Sequence, residues 1–514
     1  MNTAAQSGSV ASRAARIAVI GGGISGLAAA HRLLSLAPNT HVTLFESSRR
    51  LGGIIRTEEA DGFLMELGPD SFITNKPAAI TLCEELNYLP QLISTDARYR
   101  RSLVLSKGRP LPVPDGFMLM APEKPLALLT SPILSIAGRL RLLAEYFIPP
   151  KAAAADESLA SFVRRRFGSE ALDRLVQPLV GGIYTSDPER LSLKATLPRF
   201  LDMEASHGSV IRACLAQRRA THTPDQNPDT GSGSGARYGL FAAPAHGLGN
   251  LVTALEQFLR NCPSMHFRLG TPVLNVSPVP QSPVPQPPAF QTEQPPTLIP
   301  RWQLQTPSNT EEFDAVIITL PAWAAAEILD HQHTTDLRNA LQTIPFASSA
   351  IVVSGHQLTD FTHPMDAFGL VVPAVEKRQI LAVSFSSRKF LNRAPDGHIV
   401  LRTFLGGAMQ PEILQLDDTA ILDAVNKELT QIFGMKREPL FAEVVRYPRA
   451  MPQYEVGHAE RLARIEKQLA ACTGLSLAGS SYYGVGIPDS IASGRSAAEQ
   501  MLNVVTRKAV QAKE

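Results

Sequence analysis

Apolar and polar residues alternate in blocks at the start of the chain, and these blocks predict a strand, a helix and a second strand. Residues 17–20 are a short apolar run, residues 27–36 form a helical stretch, and the run VTLFE ends on the acidic Glu46. Gly21-x-Gly23-x-x-Gly26, with Gly22 inside it, separates the first run from the helix. This order of elements, with an acid closing the second strand about twenty residues later, is typical of a dinucleotide-binding unit.

Each glycine of this turn has its own predicted role. We expect Gly21 to permit the tight turn, Gly23 to let the backbone approach a pyrophosphate, and Gly26 to let helix and strand pack closely. Unpaired N–H groups and a positive partial charge at the start of the helix suit the phosphates. Glu46 is predicted to accept the hydroxyls of the adenosine ribose.

Further apolar runs predict strands in the middle of the chain. Residues 313–320 (FDAVIITL), ended by Pro321, have the composition of a fully buried strand that should return to the nucleotide-binding sheet. Residues 271–276 and 301–305 predict two more strands. The proline-rich segment 278–300 between them cannot supply backbone donors to a sheet, so we expect it to lengthen a hairpin. The polar Gly/Ser/Pro segment 221–236 predicts a flexible surface insertion.

Residues 110–197 are predicted to be mostly helical. Residues 132–147 place five apolar side chains at helical spacing: Ile133, Ile136, Leu140, Leu143 and Phe147. We favour a helix in a domain core. The alternative is a helix lying in a membrane interface, since arginines are interspersed and the upstream residues 116–120 are mostly apolar. No run reaches about eighteen uninterrupted apolar residues, so we expect no membrane span.

A second helix is predicted over residues 156–167, from its acidic and serine start to Gly168 after its end. The run Arg164-Arg165-Arg166 near its end is predicted to be a solvated face.

Composition and charge indicate a globular enzyme of several domains. The chain has 514 residues, 44% hydrophobic and 19% charged, with a net charge of +2. Its basic residues are dispersed, which argues against a nucleic-acid partner. The four cysteines, Cys83, Cys214, Cys262 and Cys472, lack the spacing of a zinc site or a disulfide framework, so we expect no metal and a reducing, cytoplasmic location. Residues 1–16 lack an apolar core, which favours a disordered lead-in over an organellar transit peptide.

Two glycine-containing segments follow Glu46 and indicate a larger cofactor. Residues 50–57 read RLGGIIRT and residues 66–72 read ELGPDSF. A second glycine pair near the first turn suits a cofactor laid across more backbone, which favours FAD. The alternative is a glycine-rich turn with a solvated arginine. The chain here resembles the flavin amine oxidase superfamily, in which such a stretch contacts the flavin side of the cofactor.

The C-terminal residues 476–494 (SLAGSSYYGVGIPDSIASG) predict a strand, a glycine-rich turn and a helix opening near Pro488. The same superfamily closes its cofactor site with such a segment. The resemblance implies FAD as cofactor. Besides Gly21, Gly22, Gly23, Gly26 and Glu46, the implied FAD-binding residues are Arg50, Gly52, Gly53, Arg56, Thr57, Gly68, Val273, Gly479, Val485, Gly486 and Ile487.

The predicted fold class is α/β, with a discontinuous Rossmann-type FAD-binding domain, a mixed-sheet substrate domain and a helical insertion domain. Cofactor residues come from the start, middle and end of the chain, so the FAD-binding domain takes residues 16–90, 237–325 and 461–506. Residues 1–15 are the lead-in, 91–215 the helical region with the membrane alternative, 216–236 the flexible insertion and 326–460 the substrate-binding domain.

Several middle segments resemble one family, the oxygen-dependent protoporphyrinogen oxidases of haem synthesis. These are residues 177–192 (QPLVGGIYTSDPERLS), 368–373 (FGLVVP), 404–407 (FLGG) and 452–458 (PQYEVGH). The resemblance covers nearly the whole chain outside the two insertions. One departure is Thr185-Ser186, which replaces the usual Ala-Gly and could alter how closely the backbone near Gly182 approaches the macrocycle.

The resemblance implies a slot for a porphyrinogen with aliphatic and aromatic walls and a cation at one end. Val371 and Phe404 would contact the two faces of pyrrole rings, and the backbone at Gly182 would meet the ring N–H groups. The alternative is that these side chains are simply core. Arg98, Arg100 and Arg101 are candidates for the propionate anchor. The family's arginine precedes a glycine by about six residues, here Gly108, but the spacing is longer, so Arg101 leads and Arg98 stays open.

The implied reaction is hydride transfer from a bridging carbon of the porphyrinogen to the flavin, with dioxygen reoxidising the cofactor. Such chemistry needs positioning and exclusion of water, so we name no catalytic acid or base and expect Asp187 and His458 to be structural. Expected partners are the porphyrinogen and dioxygen, with a peripheral membrane contact and a homodimer left open. Coproporphyrinogen III is the alternative substrate. A nicotinamide-dependent reductase is disfavoured because no strand precedes Gly231–Gly235, and a non-catalytic flavin-binding scaffold is the remaining alternative.

Overall fold

The structure, a computed structural model, describes residues 14–122, 124–151, 156–221, 241–280, 301–330 and 332–511. Most of the predicted lead-in 1–15 and most of the proline-rich segment 278–300 therefore lie outside the described residues. The predicted insertion 216–236 does so from residue 222 onwards. Its first six residues lie in a helix that runs to Thr221.

The strands, numbered in chain order, are β1 (Arg16–Ile20), β2 (His41–Glu46), β3 (Thr57–Ala60), β4 (Phe63–Glu66), β5 (Phe72–Ile73), β6 (Leu92–Ser94), β7 (Ser102–Ser106), β8 (Arg109–Pro112), β9 (Phe117–Met118), β10 (Ala121–Pro122), β11 (Phe241–Pro244), β12 (Met265–Leu269), β13 (Asn275–Pro278), β14 (Trp302–Gln305), β15 (Thr310–Phe313), β16 (Ala315–Ile318), β17 (Phe346–Gln357), β18 (Gly369–Val371), β19 (Ala382–Phe385), β20 (His398–Gly406), β21 (Phe441–Pro452) and β22 (Leu475–Leu477).

The helices are α1 (Ile24–Leu36), α2 (Ala78–Glu85), α3 (Ile136–Leu143), α4 (Leu159–Arg166), α5 (Ser169–Ala171), α6 (Gln177–Tyr184), α7 (Leu193–Thr196), α8 (Pro198–His207), α9 (Val210–Thr221), α10 (Leu248–Arg260), α11 (Ala322–Ile328), α12 (Thr335–Gln342), α13 (Ser386–Lys389), α14 (Asp418–Phe433), α15 (His458–Ala470) and α16 (Ile487–Gln511).

A five-stranded parallel sheet, in the order β12-β2-β1-β16-β22, contains the start of the chain. β1, α1 and β2 confirm the predicted strand, helix and strand, and Glu46 is the last residue of β2. All four residues of β16 are buried, as predicted for the run before Pro321. Because its strands come from the start, middle and end of the chain, the unit is discontinuous, as the predicted fold class requires. The boundaries drawn for the domains stay a prediction.

Two helices from opposite ends of the chain pack closely on this sheet. A Cβ atom built on Gly494 of α16 would lie 2.1 Å from the carbonyl oxygen of Ser25 in α1. A Cβ on Gly26 would lie 1.9 Å from the carbonyl oxygen of Gly21. Real Cβ contacts are never this short, so the close approach of α16 to α1, and of α1 to the first turn, requires glycine at both positions.

The predicted hairpin around the proline-rich segment is present, with a later start than predicted. β13 begins at Asn275, pairs antiparallel with β14, and β14 pairs in turn with β15. Residues 271–274 are not in a strand; they cross the end of β2, where Thr271 N–H donates to the Glu46 carbonyl at 2.9 Å. This small sheet continues into β16 and so leads the chain back into the parallel sheet.

A second, seven-stranded mixed sheet has the strand order β21-β17-β20-β19-β18-β7-β8. One face packs on α14, where Leu370 and Leu401 share a buried cluster with Leu429. The opposite face is covered by two different units. Near β7 and β18 it contacts the helical unit, and near β17 and β20 it contacts the β3–β4 hairpin of the nucleotide-binding unit. The helical unit and the β3–β4 hairpin approach each other near β19, the strand between β18 and β20.

The helical region is less regular than predicted. Residues 132–147 form α3 only from Ile136 to Leu143, and a 3₁₀ turn follows over Ala144–Phe147. The prediction of a core helix is wrong for most of its apolar face. Ile136, Leu140 and Phe147 have exposures of 74%, 60% and 77%, whereas Ile133 is buried. Within the described ranges, no helix is both long enough and apolar enough to cross a bilayer.

The prediction of a solvated face is wrong for Arg165 and Arg166 at the end of α4, whereas Arg164 is exposed. Arg166 is fully buried, its Nε donates to Glu145 Oε1 at 2.7 Å, and its Nη1 donates to the carbonyls of Ile148 and Pro149. Arg165 bonds Glu204 Oε1 at 2.6 Å and Glu157 Oε1 at 2.8 Å. α4 presents these two arginines inward because acidic side chains from distant segments surround them.

Candidate functional site

The two glycine-rich segments of the nucleotide-binding unit dock on each other at the end of β1. Gly52 N–H donates to the Gly22 carbonyl at 2.8 Å, and Gly23 and Gly52 form a parallel bridge. Gly22 N–H donates to Glu46 Oε2 at 2.7 Å, so the acid that ends β2 reaches the first turn. The structure thus brings Gly22, Gly23, Glu46 and Gly52 together at the carboxyl edge of the parallel sheet.

Open space in front of α1 fits a pyrophosphate. A Cβ built on Gly23 meets no described atom within 4 Å, in contrast to Gly21 and Gly26. Gly23 is also the N-cap of α1, and no described side chain caps the helix there. The N–H groups of the first turn therefore face a ligand space that a side chain would fill. The residues present fit a dinucleotide cofactor.

The remaining residues of the second segment mainly hold the loop in shape. Arg50 donates from Nη1 to the Ile55 carbonyl at 3.1 Å and from Nη2 to the Gly53 carbonyl at 2.5 Å, while Arg56 pairs with Glu58. Arg50 is exposed, as the solvated-arginine alternative expects, and its guanidinium also bonds backbone carbonyls of the loop.

Thr57 connects this segment to the start of α10. Its Oγ1 donates to Glu66 Oε2 at 2.6 Å and accepts from Gly249 N–H at 2.8 Å. Glu66 also accepts from Leu248 N–H at 2.7 Å, and burial raises the pKa of this carboxyl. Gly68 packs so tightly on Ile54 that a Cβ would lie 1.8 Å from the Ile54 carbonyl oxygen. Gly68 therefore places β4 and the following residues directly against the glycine-rich segment.

The C-terminal glycine-rich turn reaches the same edge of the sheet. Gly479 follows β22, its N–H donates to Ser493 Oγ at 3.0 Å, and its Cα faces the Ser25 hydroxyl of α1. Val485, Gly486 and Ile487 lead into α16, with Ile487 as its first residue. Val273 is buried in the segment whose Thr271 N–H bonds the Glu46 carbonyl. All segments that carry the predicted cofactor residues thus meet around α1.

Two aromatic residues that the sequence did not single out for the cofactor site hold this turn. Tyr454 OH donates to the Ser480 carbonyl at 2.6 Å and accepts from Gly484 N–H at 2.8 Å. His458 stacks on Tyr454 at 4.1 Å between ring centroids, and its Nε2 lies 2.9 Å from the Tyr482 carbonyl, to which it donates. Burial lowers the pKa of His458, so its imidazole is neutral. The PQYEVGH motif, which contains both residues, was the sequence signal that could have identified them.

A row of side chains on the seven-stranded sheet forms the floor of the second half of the site. Val371 pairs with Ala382 across β18 and β19, and Ala382 pairs with Phe404 across β19 and β20. Directly paired residues point to the same face of a sheet. Val371 and Phe404 are half-buried, although their neighbours along each strand are buried. They lie where the helical unit and the nucleotide-binding unit meet.

A small residue separates the two larger side chains of this row. Val371 and Phe404 are two strands apart, which is about 9.5 Å, and only the small Ala382 lies between them. Gly182 faces the row from α6, with its Cβ position 3.9 Å from Val371 Cγ1. A π-helical turn over Leu172–Val176 precedes α6, a feature often found at functional sites. The structure brings Gly182, Val371 and Phe404 together.

Two of the three candidate arginines, Arg101 and Arg98, lie away from this row. Arg101 pairs with Asp366, donates from Nε to the Asp366 carbonyl at 2.8 Å, and lies beside His363 on the α14 side of the sheet. Arg98 pairs with Asp96 at 2.7 Å and is largely exposed. Neither contacts Val371, Phe404 or Gly182 within the described residues. Their assignment as propionate anchors stays a prediction.

A buried charged cluster borders the row, and sequence reasoning missed it. Asp70 Oδ1 lies 2.9 Å from Lys389 Nζ, and Asp70 Oδ2 lies 3.2 Å from Arg402 Nη1. Burial alone would raise the pKa of Asp70, but the two cations outweigh it and hold that pKa well below its usual range. Arg402 also donates to the Gly68 carbonyl, which joins the sheet to the nucleotide-binding unit.

Comparison with known proteins agrees with this geometry. The chain matches the family described as flavin containing amine oxidoreductase over residues 24–502. It is similar to the coproporphyrinogen III oxidase of Bacillus subtilis, with 31% identity over 95% of this chain and 97% of that protein. It is also similar to the chloroplastic/mitochondrial protoporphyrinogen oxidase 2 of Arabidopsis thaliana, with 26% identity over 95% and 94%. A crystal structure from Exiguobacterium, provisionally named a protoporphyrinogen oxidase, superposes with a TM-score of 0.79 at 27% identity, covering 95% of this chain and 98% of the other.

Replacing Gly23 by valine tests whether the open space in front of α1 holds the cofactor. Because a Cβ there meets no described atom, we expect the deflavinated variant to unfold at the same temperature as deflavinated wild type. FAD binding should weaken roughly tenfold or more, because the side chain occupies the phosphate position. Flavin absorbance after reconstitution and thermal unfolding measure the two quantities, with Gly23→Ala as a graded control. Full flavin retention in Gly23→Val would contradict the assignment.

Proposed function

Because the chain belongs to the flavin containing amine oxidoreductase family, we propose that it oxidises protoporphyrinogen IX to protoporphyrin IX with dioxygen as the electron acceptor. FAD is its cofactor, and the chain is an FAD-dependent oxidoreductase. The observation that carries the proposal is the row of Val371, Ala382 and Phe404, in which the two larger side chains are half-buried and flank a buried alanine between the helical unit and the nucleotide-binding unit. The relatives that match over nearly the full chain act, by their names, on porphyrinogens.

The residues of the first unit would hold the cofactor. The α1 N-terminus with Gly21, Gly22 and Gly23 would receive the pyrophosphate, and Glu46 the ribose. The paired segments at Gly52 and Gly53, with Gly68 and the turn from Gly479 to Ile487, would extend this cradle towards the seven-stranded sheet. When bound, FAD supplies a two-electron acceptor for a carbon-bound hydride.

The residues of the second unit would position the substrate. Val371 and Phe404 would contact the two faces of a pyrrole ring that stands over Ala382, with the backbone at Gly182 beside the ring. These side chains are apolar; the helical unit packs against Val371 and the β3–β4 hairpin against Phe404, which would help to exclude water where the carbon–hydrogen bond breaks. Proton loss from the macrocycle nitrogens needs no dedicated side-chain base, and we assign none.

Coproporphyrinogen III is the second candidate substrate. The similarity to the Bacillus subtilis enzyme, at 31% identity against 26% for the plant enzyme, favours it. The two substrates share the macrocycle and differ in the number of carboxylates on its rim, so the same row would serve both.

Turnover decides between the substrates and tests the function. The purified FAD-loaded protein should convert one or both porphyrinogens with a rise in porphyrin fluorescence, consumption of dioxygen and formation of peroxide. The ratio of kcat/KM for the two porphyrinogens identifies the preferred one. If neither is oxidised while FAD remains bound, the protein is not a porphyrinogen oxidase, and a non-catalytic flavin-binding scaffold takes its place.

Filling the space over Ala382 tests the position of the ring. Leucine at this position would extend between Val371 and Phe404, so we expect Ala382→Leu to raise KM for the porphyrinogen about tenfold or more. The matched control at the same position is Ala382→Gly, which keeps the space open and should retain KM within about threefold. FAD content should stay equal in both. Unchanged KM in the leucine variant would place the ring elsewhere.

We propose that the exposed apolar side chains of the α3 region contact a membrane surface. Leu129, Ile136, Leu140, Tyr146 and Phe147 are all exposed and lie on one short stretch of chain. The aromatic rings of Tyr146 and Phe147 pack against each other, and the Arg212 guanidinium lies 4.6 Å from the Tyr146 ring centroid. Apolar and aromatic groups beside a cation suit the headgroup region of an anionic bilayer.

Vesicle binding checks this contact. The wild-type protein should cosediment with vesicles that contain anionic phospholipid, and the double variant Ile136→Ser, Phe147→Ser should lose most of this binding. The control, Leu440→Ser, removes an exposed apolar side chain elsewhere and should bind as wild type. If the double variant instead changes the sedimentation coefficient without vesicles, the surface is an interface between copies of the chain.

A further inference from the structure

A second row of residues runs beside Val371, Ala382 and Phe404 on the same face of the seven-stranded sheet. Ser102 pairs with Gly369, Gly369 with Ser384, and Ser384 with Arg402. Gly369, Ser384 and Arg402 each lie two positions along the strand from a residue of the first row, so both rows point to the same face of the sheet. Three of the four side chains are small or absent. Arg402 is therefore the one long side chain in this row.

Arg402 lies against the aromatic residue of the first row. Its guanidinium carbon is 5.2 Å from the Phe404 ring centroid. The Arg402 side chain is 3% exposed, and its Nε has no hydrogen-bond acceptor among the described residues. A buried guanidinium N–H without a partner is costly, which indicates that a further acceptor belongs there.

The charge around Arg402 remains positive. Asp70 is the one carboxylate that both Arg402 and Lys389 contact within the described part of the chain, so the cluster of three carries a net charge of +1. Lys389 Nζ also donates to Ser71 Oγ at 2.9 Å, which leaves the lysine at the same end of the row. A buried excess positive charge attracts an anion more strongly than an exposed pair does.

We propose that Arg402 anchors a rim carboxylate of the tetrapyrrole. The inference rests on the proposed function, since it takes the ring to stand over Ala382 beside Phe404. A ring in contact with Phe404 would extend its substituents over the small residues Gly369 and Ser384 and towards Arg402. The Nε–H of Arg402 would then donate to the carboxylate, and Lys389 would add to the attraction.

The position of Arg101 supports this choice. Arg101 lies on the α14 side of the sheet and already pairs with Asp366, whereas Arg402 lies on the same face as Val371 and Phe404.

The test compares binding of protoporphyrin IX with binding of its dimethyl ester to the FAD-loaded protein, measured by quenching of flavin or tryptophan fluorescence. Wild type should bind the free acid roughly 10- to 100-fold more tightly than the ester, as expected for a charge-assisted hydrogen bond. Arg402→Gln should bind the two equally. Arg402→Lys, which keeps the charge without the fork, should retain part of the preference.

Two control variants test whether loss of any arginine, rather than of Arg402, abolishes the preference for the free acid. Arg338→Gln removes a buried guanidinium that donates to the Leu329 carbonyl far from the site, and it should keep the wild-type preference. Arg101→Gln should keep it as well. If Arg402→Gln keeps the preference, the proposal is overturned, and if Arg101→Gln loses it, the anchor is Arg101.

A further variant covers the case in which Arg402→Gln does not fold or does not hold FAD. Ser384→Asp keeps the guanidinium and places a carboxylate on the residue paired with it, so it should occupy Arg402 and abolish the preference for the free acid. An unchanged preference in Ser384→Asp overturns the proposal. Turnover is scored separately: wild type that binds the acid selectively but oxidises no porphyrinogen refutes the proposed function and leaves the anchor in place.

Discussion

The site depends on how one face of the seven-stranded sheet is covered. An apolar sheet face must be buried, and here two units cover it together, because the helical unit packs on β7 and β18 while the β3–β4 hairpin packs on β17 and β20. Val371 and Phe404, on the strands either side of β19, are half-buried where these two units meet. The proposed substrate site therefore lies at the boundary between two packing surfaces rather than in a loop at the periphery.

The nucleotide-binding unit is connected to this boundary through backbone groups. Gly68 packs on Ile54, Tyr447 OH donates to the Leu67 carbonyl at 2.6 Å, and Arg402 donates to the Gly68 carbonyl. Residues from both sheets thus hold one short segment after β4. Because these contacts involve carbonyl oxygens and a glycine, small shifts between the units would break several hydrogen bonds together. This segment therefore fixes the position of the glycine-rich cofactor segments relative to the proposed substrate row.

Local patterns in the sequence predicted the parts of the fold that depend on neighbouring residues. The strand, helix and strand up to Glu46, the buried run before Pro321 and the helix that opens near Pro488 were all predictable, because glycine, proline and apolar spacing act within one element. The sequence predicted that the segments of Gly22 and Gly52 lie near each other, but not the hydrogen bond between them. The exposure of Ile136 and Phe147 was not predictable, because apolar spacing identifies one face of a helix but not what packs against it.

Charged residues were predicted least well, since their surroundings come from distant segments. Arg166 is buried because Glu145 and the Gly208 carbonyl, from two other segments, meet it. Arg402 faces the site because of the register of β19 against β20, and a shift of one residue would point it at α14.

The close contact between α1 and α16 couples two distant parts of the chain within one layer. Gly494 packs on Ser25, and β22 pairs with β16, so segments far apart in sequence complete the parallel sheet and the helices on it. α1 begins at the glycine turn, so α16 lies against the helix whose N-terminus faces the open space at Gly23. Local detachment of the C-terminal helix would therefore also loosen that turn and weaken the binding of a nucleotide there.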